Sequence, residues 1–184
     1  MASELSVQTI KGPASGGNAN KIIIPTGQTL EVTDNIRYED MPAGSIIQVV
    51  SATYQTGVGT SGQSFVDTGL TASITPKSSS SKVFVTVSQA FSFTNTADDQ
   101  YQGNLVITDG SNNILFGGTS YDQFRIKNMI AFHWQANLQV LHSPSTTSSF
   151  TYKTRMKSIY ANTAVYAQYG NAAPSSITLM EIAG

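Results

Sequence analysis

Few side chains in this sequence could carry out catalysis, and those that could stand apart. The two histidines, His133 and His142, lie nine residues apart in what reads as one strand. A straight strand would separate them by about 30 Å, which is too far for both to bind one metal ion. We expect His133 to be a polar cross-strand partner and predict no metal site.

The carboxylates offer a weak case for acid and base chemistry. Asp67, Asp109 and Asp122 could form the pair of a glycoside hydrolase, but each lies close to Gly, Ser or Thr, where Asp commonly serves turns and strand ends. Asp98 and Asp99 lack the Asp-x-Asp-x-Asp-Gly spacing of a calcium loop. We therefore expect no catalytic residue and no cofactor, with a carboxylate pair as the open alternative.

Two further motifs have ordinary explanations. The segment Gly57–Gly62 matches the glycine spacing of a nucleotide-binding loop only in part, and no helical pattern follows it, so we interpret it as a flexible loop tip. Lys153, Arg155 and Lys157 place three cations on one strand face. They could meet an anionic glycan, although such a row is more often a solvated face.

Tyrosines are the better candidates for ligand contact. A tyrosine offers a flat apolar ring and a hydroxyl group, which together suit stacking on a sugar. Packing at the edge of the core is the alternative role. The candidate glycan contacts, which fall in or beside predicted loops, are Tyr101, Tyr121, Tyr166 and Tyr169.

The composition limits the classes of partner. The 184 residues include 10 Lys and Arg against 11 Asp and Glu, so the net charge is −1 and no basic surplus is present to neutralise nucleic-acid phosphates. With 23 Ser and 21 Thr, the surface carries hydroxyls rather than ions. No cysteine is present, and no apolar run approaches the roughly 20 residues that span a bilayer. The first residues lack the basic and apolar regions of a signal peptide, so we expect neither membrane insertion nor secretion by that route.

Beyond Gly44 the hydrophobic pattern has a period of two, which predicts antiparallel strands with one buried face. No window shows helical spacing, so we expect at most a turn or two of helix. Residues 46–184 are predicted to form an all-β, antiparallel sandwich or jelly roll. The predicted strands are Ile46–Thr53, Leu70–Thr75, Lys82–Phe93, Asn104–Thr108, Ile114–Phe116, Met129–Leu141, Ser149–Tyr160, Ala164–Gln168 and Ser176–Ala183.

The two ends of the chain differ from this regular region. Residues 1–45 are broken by Gly and Pro into fragments too short to form a core, which predicts an extended N-terminal arm. In the last strand, Ile177 and Leu179 face one way and Met180 and Ile182 the other. A strand with two apolar faces must be central in its sheet or covered by another subunit.

Four parts of the chain carry a resemblance to known proteins: Thr9–Gly12 with Asn18–Gly27, Met41–Val50, Ser64–Val85 and Ser175–Ile182. Together they cover a little under a third of the chain. These segments resemble parts of tailed-phage virion proteins, particularly the fibre, knob and decoration proteins of marine phages. The resemblance implies a trimeric β-sandwich that projects from a particle and is attached through an N-terminal arm.

We therefore expect a non-enzymatic virion protein that is assembled in the host cytoplasm. Residues 1–45 would dock on other virion proteins of the capsid or tail, and a host surface glycan is a candidate ligand. A free carbohydrate-binding module is the first alternative, and a glycan hydrolase is the second. The candidate trimer contacts are Ile177, Leu179, Met180 and Ile182.

Overall fold

The computed structural model of the chain describes residues 14–16, 25–28, 41–94, 101–118, 124–126, 131–160 and 163–184. The chain divides into two units, residues 1–37 and residues 38–184. All strands named below belong to the second unit. The arm predicted over residues 1–45 lies largely outside the described residues.

The second unit is built from β-strands, and nine of them match segments that the period-two pattern predicts. Helical structure in the described ranges is limited to a 3-10 turn at Tyr169–Asn171. The strands are β1 Ile46–Tyr54, β2 Val58–Thr60, β3 Val66–Ile74, β4 Lys82–Thr94, β5 Tyr101–Asp109, β6 Ile114–Phe116, β7 Phe124–Ile126, β8 Ala131–His142, β9 Phe150–Ser158, β10 Ala164–Ala167 and β11 Ser175–Ile182.

Two short strands, β2 and β7, are not predicted by the sequence. The interpretation of Gly57–Gly62 as a flexible loop tip is wrong, because Val58–Thr60 within it pairs with β10. β7 pairs with β5. Each strand has only three residues, which is too short for the alternation of apolar and polar residues to stand out. The equally short β6 was predictable because the turn at Asp109–Asn113 joins it to β5, and neither β2 nor β7 pairs with its neighbour in the chain in this way.

The strands form two antiparallel sheets. In sheet A, β4 pairs with β8 along one edge and with β11 and β10 in succession along the other, while β1 and β2 lie outside β11 and β10. Sheet B has the order β3-β9-β5, with β6 and β7 sharing the far edge of β5. The orders β1-β11-β4-β8 and β3-β9-β5-β6, with chain crossings between the sheets, are those of a jelly roll. The predicted antiparallel sandwich is confirmed.

The core lies between the sheets and is filled by alternate side chains of each strand, because successive residues of a strand point to opposite faces. Strand β4 contributes every second residue from Val83 to Phe93. The fully buried large side chains include Leu70, Ile74, Phe93, Leu105, Ile107, Tyr152, Met156, Ile177 and Leu179.

The last strand, β11, lies between β1 and β4, so it is central in its sheet. Ile177 and Leu179 are 0% exposed within the chain's own core. Their assignment as trimer contacts is therefore wrong, because no second subunit can reach them in this fold. Met180 and Ile182 are partly buried on the opposite, outer face of sheet A.

Candidate functional site

One end of the outer face of sheet A carries a row of residues that are aligned across four strands. Tyr166 of β10 lies opposite Gly59 of β2 on one side and opposite Ser92 of β4 on the other. Ser92 in turn lies opposite His133 of β8. The pairing therefore places Ser92 between an aromatic ring and an imidazole.

Tyr169 completes this group from the loop between β10 and β11. Its ring centroid lies 5.1 Å from that of His133 and 5.0 Å from that of Tyr166. Ser92, between the two, is 2% exposed, and among the described residues its Oγ has no hydrogen-bond partner. We call Tyr166, Tyr169, His133 and Ser92 the aromatic site.

The loop that carries Tyr169 is held on its inner side by buried polar groups. At its start, the backbone N–H of Gln168 donates to the Ala90 carbonyl over 3.0 Å, and the buried Gln168 amide lies 2.8 Å from Ser175 Oγ. Ser175 Oγ also accepts from Gln89 Nε2 and from the N–H of Ala90, over 2.7 and 2.9 Å. Thr154 donates to the other end of the Gln89 amide over 2.8 Å. The loop is thus attached to a hydrogen-bonded network between the two sheets.

Asn171 holds the same loop from its other side. Its Oδ1 accepts from the N–H of Gly57 over 2.6 Å, and its carbonyl oxygen accepts from Gln55 Nε2 over 2.8 Å. Both donors lie in the connection between β1 and β2. Because it is bonded to two separate parts of sheet A, the loop has little freedom to move away from the aromatic site.

A cavity of about 410 Å³ opens beside the aromatic site. The strands supply residues 90–92 and 133–135 to its wall, and the loop supplies Tyr169, Ala172 and Ala173. Among the described residues, none of those in the wall is Lys, Arg, Asp or Glu. The cavity therefore suits an uncharged ligand with an apolar surface.

The opposite end of the same face carries a second aligned row, which is apolar. Val49, Met180, Phe84 and Leu141 lie side by side on β1, β11, β4 and β8. Val49 is 56% exposed and Leu141 is 54% exposed. Ile46, 53% exposed, lies opposite Ile182 and extends the patch. We call Val49, Met180, Phe84 and Leu141 the apolar row.

The residues between the two ends are uncharged. Two aligned rows of hydroxyl and amide side chains cross the sheet there, and their members are Ser51, Thr178, Thr86 and Gln139, then Thr53, Ser176, Ser88 and Asn137. A water-facing sheet usually carries charged residues of both signs. This face therefore differs from an ordinary solvated surface.

The cationic strip predicted on β9 lies on the outer face of sheet B, and one carboxylate pairs with two of its three cations. Asp67 accepts from Lys153 Nζ over 2.9 Å and from Arg155 Nε over 2.7 Å. Desolvation raises the pKa of Asp67, but the hydrogen bonds and charges of these two cations outweigh it, and the pKa lies below its usual value. Lys157 Nζ lies 5.0 Å from the centre of the Phe65 ring.

Of the carboxylates considered for acid and base chemistry, the described Asp67 and Asp109 lie on opposite edges of β9 and do not meet. Asp109 accepts from the N–H groups of Ser111 and Asn113 over 2.9 and 2.8 Å, which is a turn. Desolvation raises the pKa of Asp109. A hydrogen bond from the Asn113 side chain, the two N–H hydrogen bonds and the charge of His142 lower this pKa by more, so it lies below its usual value. Asp122, Asp98 and Asp99 lie outside the described residues. Neither Asp67 nor Asp109 has the raised pKa of a general acid.

Within the described ranges, no group of three or more His, Cys, Asp or Glu side chains is placed to hold a metal ion. No helix found there is long and apolar enough to cross a bilayer. The two histidines lie at different ends of β8. His133 contacts Tyr169, whereas His142 Nδ1 lies 3.0 Å from the Tyr152 hydroxyl.

Comparison with known proteins adds little to this picture. The sequence matches no protein-family model and no curated protein. Among solved structures, the chain gives a weak match to a chain in the structure of infectious bursal disease virus, Gx strain, with 11% identity and a TM-score of 0.28. The match covers 98% of this chain and 46% of the viral chain, so this chain spans about half the length of that protein. We draw no functional conclusion from a similarity of this size.

The structure brings together two of the four tyrosines predicted to contact glycan. Tyr166 lies on a strand and Tyr169 in a loop, and their rings touch. The side chain of Tyr101 and the whole of Tyr121 lie outside the described residues. Ser92 and Gly59 are parts of the site that the sequence did not predict. The only sequence signal of Ser92 is a position on the polar face of a strand, which many residues share, and Gly59 lies in the segment interpreted as a loop tip.

Proposed function

We propose that this chain is a non-enzymatic structural protein of a tailed-phage virion. In this proposal it is a homotrimeric fibre or knob that is assembled in the host cytoplasm and docked on capsid or tail proteins by residues 1–45. The sandwich would face outward and contact a host surface glycan. The resemblance of the segments Met41–Val50, Ser64–Val85 and Ser175–Ile182 to fibre, knob and decoration proteins supports this role. A jelly roll, which viral capsid and lectin domains share, is compatible with it.

The observation that carries the proposal is the apolar row, which lies on a face whose described strands carry one charged side chain, Lys82, beside the row. Burying one exposed Leu, Ile or Val side chain contributes about 1.5–3 kcal/mol. Val49 and Leu141, at the two ends of the row, are each more than half exposed in the single chain. A second and third copy packed on this face would cover them, and cyclic closure would limit the assembly to a defined number of copies. Met180 and Ile182 remain as trimer contacts in this arrangement.

The oligomeric state of the full chain in solution tests this proposal. Multi-angle light scattering should give the mass of a trimer for the wild-type protein and a lower mass for Leu141→Lys, because a lysine in the covered row would leave a charge without a partner. Leu141 is 54% exposed, so the variant should keep its circular dichroism spectrum. A wild-type monomer would overturn the trimer.

The control variant is Gln139→Lys, which adds the same charge on the same strand and face, two residues away. Gln139 is exposed and lies in the neighbouring uncharged row. The Gln139→Lys variant should remain trimeric if the apolar row is the centre of the interface. A trimer that persists in Leu141→Lys would exclude this row as the contact.

A free carbohydrate-binding module is the second candidate function, and the cavity at the aromatic site favours it. Such a module binds sugar as a monomer and needs no particle. Light scattering that gives a monomer, together with sugar binding by the same sample, would support this candidate over the virion protein.

A further inference from the structure

We propose that the cavity at the aromatic site binds a neutral sugar ring with an apolar substituent, of the N-acetylhexosamine type. The inference deepens the host-attachment part of the proposed function, and its biological meaning rests on that part. The binding event itself requires one folded chain and no trimer. The two proposals can therefore fail separately.

Tyr169 supplies the surface on which a sugar can stack. The ring is 46% exposed and forms part of the cavity wall. The C–H face of a pyranose packs against an aromatic ring, while the sugar hydroxyls remain available to water and polar groups. The contacts of Tyr169 with His133 and Tyr166 hold its ring at the edge of the cavity.

The charge of the site restricts the class of sugar. Sugars with a carboxylate, such as sialic or uronic acids, are usually held by a cation, most effectively by the paired N–H groups of Arg. The described wall of the cavity contains no Lys or Arg. Nearby polar atoms belong to uncharged groups, among them the amide of Gln135, whose Nε2 donates to the Pro174 carbonyl over 3.3 Å. A neutral sugar fits this wall better than an anionic one.

Small apolar side chains favour a substituent such as an acetyl group. Ala90, Ala172 and Ala173 line the cavity, whereas the rings of Phe91 and Trp134 point into the core. A pyranose that stacks its C–H face on Tyr169 has no further apolar group to place against the three alanines, whereas the methyl group of an N-acetylhexosamine would remove apolar surface from water there. The volume of about 410 Å³ is within the range of small-molecule sites.

Ser92 gives the site an unused hydrogen-bonding group. Its Oγ is buried and has no partner among the described residues, an arrangement that is unfavourable in the absence of a ligand. A ligand amide or hydroxyl that reached Ser92 would supply the missing partner. The anchored loop also favours binding. Because it is already held in place in the free protein, it loses little conformational entropy when a ligand binds.

Trp134 is the single tryptophan of the chain, but its ring packs in the core against Phe91, Phe93 and Phe124, so binding is followed by isothermal titration calorimetry instead of fluorescence. The full chain is titrated with the methyl glycosides of N-acetylglucosamine and N-acetylgalactosamine, and with the parent glucoside and galactoside. At least one N-acetylated sugar should give a saturable heat of binding and bind about fivefold or more tightly than its parent. No heat of binding with any sugar up to about 100 mM would overturn the proposal.

Tyr169→Ala is the decisive variant, with Tyr160→Ala as its control. Both tyrosines are exposed, at 46% and 40%, but Tyr160 is not part of the cavity wall. Tyr169→Ala should weaken binding about five- to tenfold, and Tyr160→Ala should leave it unchanged. Equal losses, or equal binding by both variants, would exclude the cavity as the site.

Two further measurements distinguish this proposal from the trimer. Methyl glucuronide, an anionic probe of similar size, should bind no better than the parent glucoside, and preferential binding of the glucuronide would contradict the neutral class. Light scattering on the same samples gives the oligomeric state. A trimer that binds none of the sugars would overturn the sugar site and leave the structural role intact.

Discussion

The ring of Tyr166 lies directly over Gly59, its cross-strand partner in the β2–β10 pair. A Cβ atom at residue 59 would lie 2.5 Å from two carbons of that ring, which is closer than real Cβ atoms come to other heavy atoms. Any other residue at this position must push the ring away. The glycine thus allows Tyr166 to pack flat against the sheet and to support Tyr169.

Gly59→Ala should therefore displace Tyr166 and loosen the aromatic site. We expect a loss of about 1–3 kcal/mol in the free energy of unfolding, as for other overpacked sites, together with weaker sugar binding. Urea unfolding followed by Trp134 fluorescence measures the first effect, and the sugar titration measures the second.

Gly62→Ala is the control for this variant. A Cβ there would meet only Thr60 Oγ1, at 3.3 Å, at the end of a side chain that can adjust. Its stability and binding should stay close to those of the wild type. If Gly59→Ala behaves like Gly62→Ala, the ring of Tyr166 does not depend on the glycine.

Ser175→Ala should destabilise the chain by about 2 kcal/mol, because it leaves buried donors without an acceptor. Ser175 Oγ accepts from Gln89 Nε2 and from the N–H of Ala90, and the side chain of Ser175 is fully buried. The neighbouring Ser176 faces outward, so Ser176→Ala should change the stability by less than about 0.5 kcal/mol. Chemical denaturation of both variants checks the difference, and similar stabilities would show that the buried network contributes little.

His142 should make the fold less stable in mild acid. Burial lowers the pKa of His142, and the charge of Asp109 only partly opposes this effect. Burial also raises the pKa of Tyr152, so the hydroxyl keeps its proton and can donate it to the neutral imidazole. The unfolded chain therefore binds more protons than the folded chain between the lowered pKa and the ordinary value of 6.5.

The contribution of His142 to the free energy of unfolding is thus fully present above about pH 6.5. It is lost as the pH falls through the lowered pKa of His142 in the folded state. Between about pH 7.5 and pH 5, the free energy of unfolding should decrease less in His142→Gln than in the wild type. His133→Gln removes the other histidine and is the control. A wild-type stability that is the same at both pH values would contradict this prediction.

Removal of residues 1–37 should leave the trimer intact and abolish incorporation into particles. The cut preserves the contacts just before β1, where the N–H of Gly44 donates to the Ala183 carbonyl and the N–H of Ala183 donates to the Ser45 carbonyl, both over 2.8 Å. Light scattering measures the trimer, and immunoblotting of purified particles measures incorporation. Normal incorporation of the shortened chain would exclude a docking role for the removed residues.

The period of two in the sequence was enough to predict most strands and their buried faces. In β8, Ala136 and Leu138 are buried while Gln135, Asn137 and Gln139 are exposed, as the alternation requires. This succeeds because the direction of a side chain along a strand depends only on local geometry. The same pattern could not show that Gln89, at an inward position of β4, is bonded to Ser175 and Thr154 between the sheets.

The sequence by itself thus determined an all-β sandwich, a surface with few charges and a last strand that needs cover on both faces. Only the tertiary structure decided that this strand is paired on both edges, that Ile177 and Leu179 pack in the core between the sheets, and that Tyr166, Ser92 and His133 lie in one row. The physical reason is that strand order and register depend on pairing between distant segments. β1 and β11, for example, are more than 100 residues apart in the chain, and local alternation carries no information about which strands pair.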